Sequence, residues 1–286
     1  MGALRTLHAK IARARELGWE ASLARIRARV IHLFGYRASV RRLAYWLDRY
    51  SRRLYDGPYV EGAETGPVNF EVKLERQRAG GPFEPPTIVT INRAAVTLLA
   101  PRHRRILEIG SGTGLFASLA AADPARTIVA SEFDVRARAW AAEHRSQPNV
   151  EFCARRLEDC AAGEFDVIVA IEVIEHIHDY PGLLRACGRV ASDLIISTPN
   201  RQRTPFTSVD RTPEFAEHVR EWNAGEFLWV LRSFYKCVDL FTVPQLGTQA
   251  QAILQDEARQ PRVEPCSDLT CEEALLAVCR GVLERS

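Results

Sequence analysis

One short stretch of the sequence combines acidic and imidazole side chains at spacings that suit proton transfer or metal binding. Glu172, Glu175 and His176 follow a run of β-branched residues, and spacings of three and four residues place them on one face of a helical turn. His176 is a candidate general base for an acceptor hydroxyl, because an unperturbed imidazole has a pKa of about 6.5. Glu175 is the second candidate for a catalytic role at this point.

The same residues also allow a metal site. Together with His218, which lies in a later loop, they form a set of two carboxylates and two imidazoles: Glu172, Glu175, His176 and His218. Mg²⁺ or Mn²⁺ suits such oxygen-rich ligands better than Zn²⁺, which prefers more nitrogen. A metal there would hold two neighbouring oxygens of an acceptor and lower the pKa of the attacking one. Both interpretations therefore stay open: a metal site, or His176 acting as a general base without a metal.

A glycine-rich bend provides a candidate cofactor site. Residues 106–114 read ILEIGSGTG, so that a predicted strand runs into Gly110, Gly112 and Gly114, where sharp turns and close ligand approach need glycine. A dinucleotide fingerprint requires Gly or Ala at position 115, which is Leu115, and the Lys of a nucleotide P-loop is absent. Glu108 at the strand end would repel a pyrophosphate and attract an ammonium group, which favours a cationic amino-acid ligand.

A second acid follows the next predicted strand. Glu132 stands at the end of this strand, where an acid accepts hydrogen bonds from both hydroxyls of a ribose. The alternative is that Glu132 and Asp134 only cap the following helix.

These residues need a parallel sheet to position them. The sequence predicts strands that alternate with helices, which is typical of βαβ units in a doubly wound α/β fold. The strands are predicted at 105–109, 127–131, 150–153, 166–171, 194–197 and 235–243, with a closing strand at 248–255. The helices are predicted at 87–99, 115–122, 135–145, 181–190, 225–233 and 271–284, and 68–74 is predicted to be extended. Side chains at the carboxyl ends of such strands line the ligand crevice.

On these motifs, together with EFDVIVAIEVIEH at 164–176 and ISTPN at 196–200, the sequence resembles the class I S-adenosylmethionine-dependent methyltransferases. Within them it is similar to the ubiquinone-biosynthesis O-methyltransferases of the type 11 and type 23 group. The resemblance implies a mostly parallel, seven-stranded Rossmann-like sheet and S-adenosylmethionine as cofactor. It also implies a methionine end at Glu108 and the glycines, a ribose on Glu132 and an adenine beside Phe133. The implied cofactor-binding residues are Glu108, Gly110, Ser111, Gly112, Thr113, Gly114, Glu132, Phe133, Leu157 and Ile171.

The sequence departs from many relatives at one position. Arg156 stands where they place an acid that meets the adenine amino group, so Leu157 and backbone groups are expected to take over that contact. Similar Glu-x-x-Glu-His segments bind metal in ubiquinone-type enzymes and, with a distant histidine, in small-RNA 3′-terminal 2′-O-methyltransferases. The segment that begins at His218 resembles the one that carries this distant histidine.

The N-terminal part differs in charge from the rest. Residues 1–56 carry a formal charge of +9 and the remainder −7, and apolar residues recur at helical spacing between the arginines. We expect a basic helical extension and Gly/Pro-rich linker at 1–86, the methyltransferase domain at 87–255, and a C-terminal tail with a terminal helix at 256–286. The basic helices either dock on the body or contact an acidic surface, such as the inner face of a membrane.

The acceptor is the least determined feature. Weak similarity of the N-terminal arm to enzymes of bacterial polysaccharide assembly suggests a sugar or lipid-linked glycan, and the polar segment 201–211 is expected to form one wall of its pocket. A catechol, a polyketide or an RNA 3′-end are alternative acceptors, and a non-catalytic cofactor-fold protein is a further alternative. Nucleic acid is disfavoured because the body lacks an excess of basic residues.

Composition excludes several other classes. The chain of 286 residues has 47% hydrophobic and 26% charged residues, as in globular proteins. Its longest apolar run has six residues and no secretory leader is visible, so we expect a cytoplasmic protein, with peripheral contact at the inner membrane face as the alternative. The seven cysteines form no Cys-x-x-Cys pair, which favours reduced thiols over a zinc ribbon. The oligomeric state is left open.

Overall fold

The fold is taken from a computed structural model. It describes residues 70, 73–75, 77–78, 80, 83–201, 218–243, 261–269 and 274–283. The chain divides into two compact units, and all of the described residues lie in one of them. That unit comprises residues 63–205 together with residues 213–286. The predicted N-terminal helices, the predicted strand at 248–255 and all but the first residue of the predicted wall at 201–211 lie outside the described residues. The predicted boundary between extension and domain stays a prediction.

A mixed sheet forms the centre of this unit. Its strands are β1 Arg105–Ile109, β2 Thr127–Ser131, β3 Val150–Cys153, β4 Val167–Ala170, β5 Asp193–Thr198, β6 Tyr235–Val243, β7 Glu264–Pro265 and β8 Ala274–Val282. Their order is β3-β2-β1-β4-β5-β8-β6-β7. Strands β1 to β5 pair in parallel, and β8 is antiparallel to both β5 and β6. The predicted doubly wound, mostly parallel α/β fold is confirmed, with the two-residue β7 as an eighth strand.

The predicted terminal helix at 271–284 is wrong. Residues Ala274–Val282 are strand β8, which lies between β5 and β6 with Leu275, Leu276 and Ala277 wholly buried. A strand that is buried on both faces has a continuous apolar sequence, which periodicity alone does not distinguish from a buried helix. The predicted tail therefore contributes a central strand to the sheet.

Helices cover both faces of the sheet. They are α1 Pro86–Thr97, α2 Leu115–Ala120, α3 Val135–His144, α4 Tyr180–Val190 and α5 Ala224–Arg232, close to the predicted positions. Short 3₁₀ turns occupy Leu157–Asp159 and Ile174–His176. Two clusters of buried apolar side chains result, one on each face, because alternate residues of each strand point to opposite sides. No described helix has the length and apolarity required to cross a bilayer.

Residues just before α1 also differ from the prediction. The sequence predicts an extended segment at 68–74, but Phe70 and residues 73–75 are helical. Phe70 is buried, and its ring meets that of Phe83 edge-on at 6.5 Å. The Phe83 ring in turn stacks on Trp140 of α3 at 4.3 Å. Aromatic packing thus fastens this segment beside the carboxyl ends of the strands, which is where ligands bind in a doubly wound sheet.

Candidate functional site

The glycine-rich bend between β1 and α2 has the conformation that only glycine adopts readily. Gly110, Gly112 and Gly114 have φ angles of +64°, +52° and +73°. A Cβ atom at Gly110 would lie 2.8 Å from Val173 Cγ2, and one at Gly114 would lie 2.5 Å from Phe152 Cε1. At Gly112, by contrast, only Lys73 Nζ lies within 4 Å, at 3.9 Å, among the described residues other than the two chain neighbours of the glycine. The middle glycine therefore borders open space.

Polar side chains surround this open space. The Ser111 hydroxyl is buried and has no hydrogen-bond partner among the described residues. Lys73 Nζ lies 3.5 Å from Thr113 Oγ1 and 3.0 Å from a carboxylate oxygen of Glu84. The Thr113 hydroxyl donates to the other Glu84 oxygen. An orphaned hydroxyl beside an open glycine is what a missing polar ligand would leave, so the bend fits the predicted cofactor.

Glu108 lies beneath the bend. Its side chain is buried, and one carboxylate oxygen accepts a hydrogen bond from the Ala117 N–H of α2 at 3.2 Å. Burial, and to a smaller extent the charge of Glu132, raise the pKa of Glu108 to about 8. A neighbouring ammonium group would favour the ionised carboxylate, which suits the predicted role of Glu108 toward the methionine end of the cofactor. That role stays a prediction.

Glu132 and Asp134 perform different tasks after β2. Asp134 is the N-cap of α3, where its carboxylate accepts from Arg136 N–H at 2.9 Å. Glu132 instead accepts from Gly112 N–H at 2.7 Å and from Asp134 N–H at 2.9 Å. The carboxylate of Glu132 thus joins the end of β2 to the middle of the glycine bend. This position is consistent with the predicted ribose contact, because each oxygen retains a second lone pair.

The residues predicted for the adenine end lie around the same edge. Phe133 is 60% exposed, and the Arg156 guanidinium lies 5.8 Å from its ring centroid. Leu157 is buried at the start of a 3₁₀ turn, and Ile171 is half-buried after β4. The positive charge at Arg156 therefore stands beside an exposed aromatic ring. The adenine contacts stay predictions.

Three of the four predicted metal ligands meet at the carboxyl end of β4. Glu175, His176 and His218 each offer a ligand atom, and these atoms all lie within 4.8 Å of one another. The two imidazole rings are 4.9 Å apart between centroids and nearly perpendicular. Forty-two positions separate His176 and His218 in the sequence, so this proximity results from the fold.

Glu175 is in an environment that disfavours its charge. Its side chain is wholly buried; Oε2 accepts from the Thr198 hydroxyl at 3.1 Å, whereas Oε1 has no partner among the described residues. Burial first, and then the charges of Glu172 and Glu221, raise the pKa of Glu175 well above the ordinary range. A cation beside the orphaned oxygen would remove this conflict, so the donor set fits a divalent metal.

Glu172 does not join the group of three. Its N–H donates to Ser197 Oγ at 3.0 Å, and the Ser197 hydroxyl donates to Glu172 Oε1 at 2.7 Å. Glu172 is also the described non-glycine residue with a positive φ, at +54°. Strained backbone of this kind concentrates at functional sites. The structure therefore places Glu172 beside the cluster, tied to the end of β5.

Sequence reasoning missed the residue that orients His218. Glu221 Oε1 lies 3.0 Å from His218 Nδ1, and both side chains are almost wholly buried. When Nδ1–H donates to Glu221, Nε2 carries the lone pair that a metal or a proton needs. The loop is also fastened to the cluster, because Val219 N–H donates to the Glu175 carbonyl at 2.7 Å. The His-x-x-Glu spacing was the available signal.

Known proteins with similar sequences are methyltransferases. The sequence profile of a methyltransferase domain family matches residues 87–252. A "probable S-adenosylmethionine-dependent methyltransferase" of Mycobacterium tuberculosis is 38% identical over 141 residues, which cover 46% of this chain and 49% of that protein. The ubiquinone biosynthesis O-methyltransferase of Xanthomonas oryzae is 32% identical over 36% of this chain and 46% of its own length. The chain spans about half the length of the curated relatives it matches.

Solved structures agree on the fold. A methyltransferase of Thermotoga maritima, described as a possible histamine N-methyltransferase, superimposes with a TM-score of 0.50 at 18% identity, covering 69% of this chain and 90% of its own. A methyltransferase of Haloferax volcanii, solved with the Trm112 activator, gives a TM-score of 0.52 at 12% identity, with 68% and 89% covered. At these identities the likeness concerns the fold alone.

Proposed function

The chain belongs to the class I S-adenosylmethionine-dependent methyltransferases, and from that premise we propose that it methylates a hydroxyl group of a vicinal diol with the help of a divalent cation. The observation that supports this most is the group Glu175, His176 and His218, whose ligand atoms lie within 4.8 Å of one another at the carboxyl end of β4. In a doubly wound sheet this edge borders the ligand crevice.

The glycine bend, Glu108 and Glu132 are the residues that hold the cofactor in this proposal. S-adenosylmethionine supplies an electrophilic methyl group on a positively charged sulfur. Gly112 allows close approach to the backbone, and the Ser111 hydroxyl gains a partner there. Glu108 faces the ammonium group and Glu132 the ribose hydroxyls. Because Glu108 is buried, water would screen its contact with the ammonium group only weakly.

What the chain must provide for the transfer is a route for the hydroxyl proton. Without a metal, the half-buried imidazole of His176 would take this proton as a general base. As a metal ligand, His176 uses the same lone pair and takes no proton, and the proton of the metal-bound hydroxyl would pass to water. Glu175, His176 and His218 would hold Mg²⁺ or Mn²⁺, with Glu172 nearby and Glu221 orienting His218. Such an ion would supply Lewis-acid chemistry by lowering the pKa of an acceptor hydroxyl.

Hydroxyl chemistry is further supported by the similarity to ubiquinone biosynthesis O-methyltransferases over about a third of the chain. Carboxylate and imidazole ligands suit an oxygen-bearing acceptor with two adjacent hydroxyls. Sugars, lipid-linked glycans and catechols have this arrangement. Among them we propose a sugar or glycan acceptor, handled beside the inner face of a membrane by the basic residues 1–56.

The metal is tested first, because its test needs no acceptor. Electron paramagnetic resonance of Mn²⁺ titrated into the purified chain should show stoichiometric binding that is lost in His218→Ala. The matched control is His144→Ala, because His144 is exposed, stacks on Trp140 and lies outside the cluster. Unchanged Mn²⁺ binding in His218→Ala would refute the assigned site.

Activity is tested by transfer of tritiated methyl groups to fractionated sugars, glycans and catechols. We expect transfer to diol-bearing fractions, loss of transfer with EDTA, and recovery with Mg²⁺ or Mn²⁺. Turnover that EDTA leaves unchanged would overturn the metal assignment and leave His176 as a plain base. Transfer to amine-bearing acceptors alone would overturn the hydroxyl assignment.

A further inference from the structure

Lys73 reaches the glycine bend from outside the part of the chain that matches the methyltransferase family, residues 87–252. Apart from the chain neighbours of Gly112, its Nζ atom is the described atom nearest to the position of a Cβ there, at 3.9 Å. It also lies 3.5 Å from Thr113 Oγ1, forty positions away in the sequence. The aromatic contacts of Phe70 and Phe83 hold the surrounding segment in place.

Buried charge keeps this ammonium group at the bend. Lys73 Nζ is 3.0 Å from a Glu84 carboxylate oxygen, and the side chains are 18% and 6% exposed. Glu84 is shared with a second cation, since Arg145 Nη2 lies 3.6 Å from its other oxygen. Two cations thus face one acid. Glu84 alone therefore does not neutralise both cations, and the Lys73 ammonium group is left beside the open space at Gly112.

The carboxylate of the methionine part is the group of the cofactor to which the proposed function assigns no residue. Its ammonium group is assigned to Glu108, its ribose to Glu132, and its adenine to the surroundings of Phe133. The carboxylate of the methionine part has none of these partners, although it carries a full negative charge. This carboxylate is at the same end of the cofactor as the ammonium group. That end lies at the glycine bend and Glu108 in the proposed function.

We propose that Lys73 binds the carboxylate of the methionine part of the cofactor. This inference rests on the proposed function. Lys73 retains Glu84 and Thr113 as partners and donates its third N–H to the ligand. Thr113 and Glu84 already hold the ammonium group of Lys73 in position, so the Lys73 side chain loses little conformational entropy when the ligand binds. Cofactor recognition in this chain then extends beyond the family-matched residues.

The test compares two ligands that differ at this end only. S-adenosylhomocysteine carries the amino-acid carboxylate, whereas 5′-deoxy-5′-methylthioadenosine has the nucleoside and sulfur without it. Calorimetry should show that Lys73→Met weakens S-adenosylhomocysteine binding about tenfold or more, because a charge-assisted contact is lost. Binding of methylthioadenosine should stay within about twofold. Lys73→Arg, which keeps the charge, should recover part of the lost affinity.

Lys236→Met is the matched control, because Lys236 is an exposed lysine on β6. It should bind both ligands like the unaltered chain. An equal loss of both ligands in Lys73→Met would overturn the inference and indicate a structural role, as would unchanged S-adenosylhomocysteine binding. If the unaltered chain binds neither ligand, the proposed function itself fails.

Discussion

At the scale of single residues, the three glycines of the bend serve different purposes. Gly110 and Gly114 are needed because side chains from elsewhere in the fold occupy the space that a Cβ would take. Gly112 faces open space apart from Lys73 Nζ. The first two are therefore required by packing, whereas Gly112 leaves room for a ligand. Substitution of Gly110 or Gly114 should therefore mainly reduce stability, whereas substitution of Gly112 should mainly reduce ligand binding.

Alanine substitutions test this separation. Gly112→Ala should cost about 1 kcal/mol of unfolding free energy, from positive φ alone, while weakening S-adenosylhomocysteine binding at least about tenfold. Gly114→Ala should cost more stability, because its Cβ would lie 2.5 Å from the Phe152 ring. Urea denaturation and calorimetry measure the two effects. A larger stability loss for Gly112→Ala than for Gly114→Ala would contradict this assignment.

Binding of the cofactor should change the protonation state of Glu108. With a pKa of about 8, it is mostly protonated at neutral pH in the free chain. An adjacent ammonium group lowers this pKa, so binding of S-adenosylhomocysteine at about pH 7 should release close to one proton. Calorimetry in buffers of different ionisation enthalpy measures the release. Glu108→Gln should abolish it, and absence of release from the unaltered chain would contradict the contact.

At the scale of elements, the sheet depends on its last strand. Strand β8 pairs with β5 over six residue pairs and with β6 over eight. Its residues Ala274, Leu275, Leu276 and Ala277 are wholly buried. Without it, both neighbours would expose their ladder groups to water. The parallel half of the sheet, which positions the cofactor site, is thus continuous with β6 only through β8.

Truncation of one β8 side chain tests its contribution. Leu276→Ala should lower the unfolding free energy by about 2–5 kcal/mol, because a wholly buried side chain leaves a cavity. Leu283→Ala, just beyond the strand and 37% exposed, is the control, with a change of about 0.5 kcal/mol or less. Equal shifts in the urea midpoints of the two variants would be inconsistent with a central β8.

At the scale of the whole molecule, a second polar cluster stabilises the end of the sheet opposite the site. His103, just before β1, is buried, and its Nε2 lies 2.9 Å from Asp193 at the start of β5. Ala100 N–H donates to His103 Nδ1 at 3.1 Å, and Arg102 also pairs with Asp193. Burial lowers the pKa of His103 despite Asp193. Stability should therefore depend on pH through this cluster.

The direction of this dependence follows from proton binding. Since the unfolded imidazole binds a proton more readily than the folded one, stability is full above about pH 6.5 and falls as the pH decreases through the lowered pKa. His103→Gln should flatten the fall of unfolding free energy between about pH 6.5 and 5. His144→Gln, an exposed histidine, should keep it. The same slope in both variants would exclude His103 as its source.

The sequence by itself determined the features that depend on neighbouring residues. The glycine bend, the acid at Glu132 and the alternation of strands and helices are local patterns, and they were sufficient for the parallel sheet and its ligand edge. Glu172, Glu175 and His176 were recognisable for the same reason, because they lie within five consecutive positions.

Only the tertiary structure decided what depends on distant parts of the chain. It placed Ala274–Val282 between β5 and β6, where burial on both faces, and not periodicity, selects a strand. It assigned capping to Asp134 and the glycine contact to Glu132. It brought Lys73 and Glu84 to the bend and Glu221 to His218. Such contacts follow from packing in three dimensions, for which local sequence periodicity carries no signal.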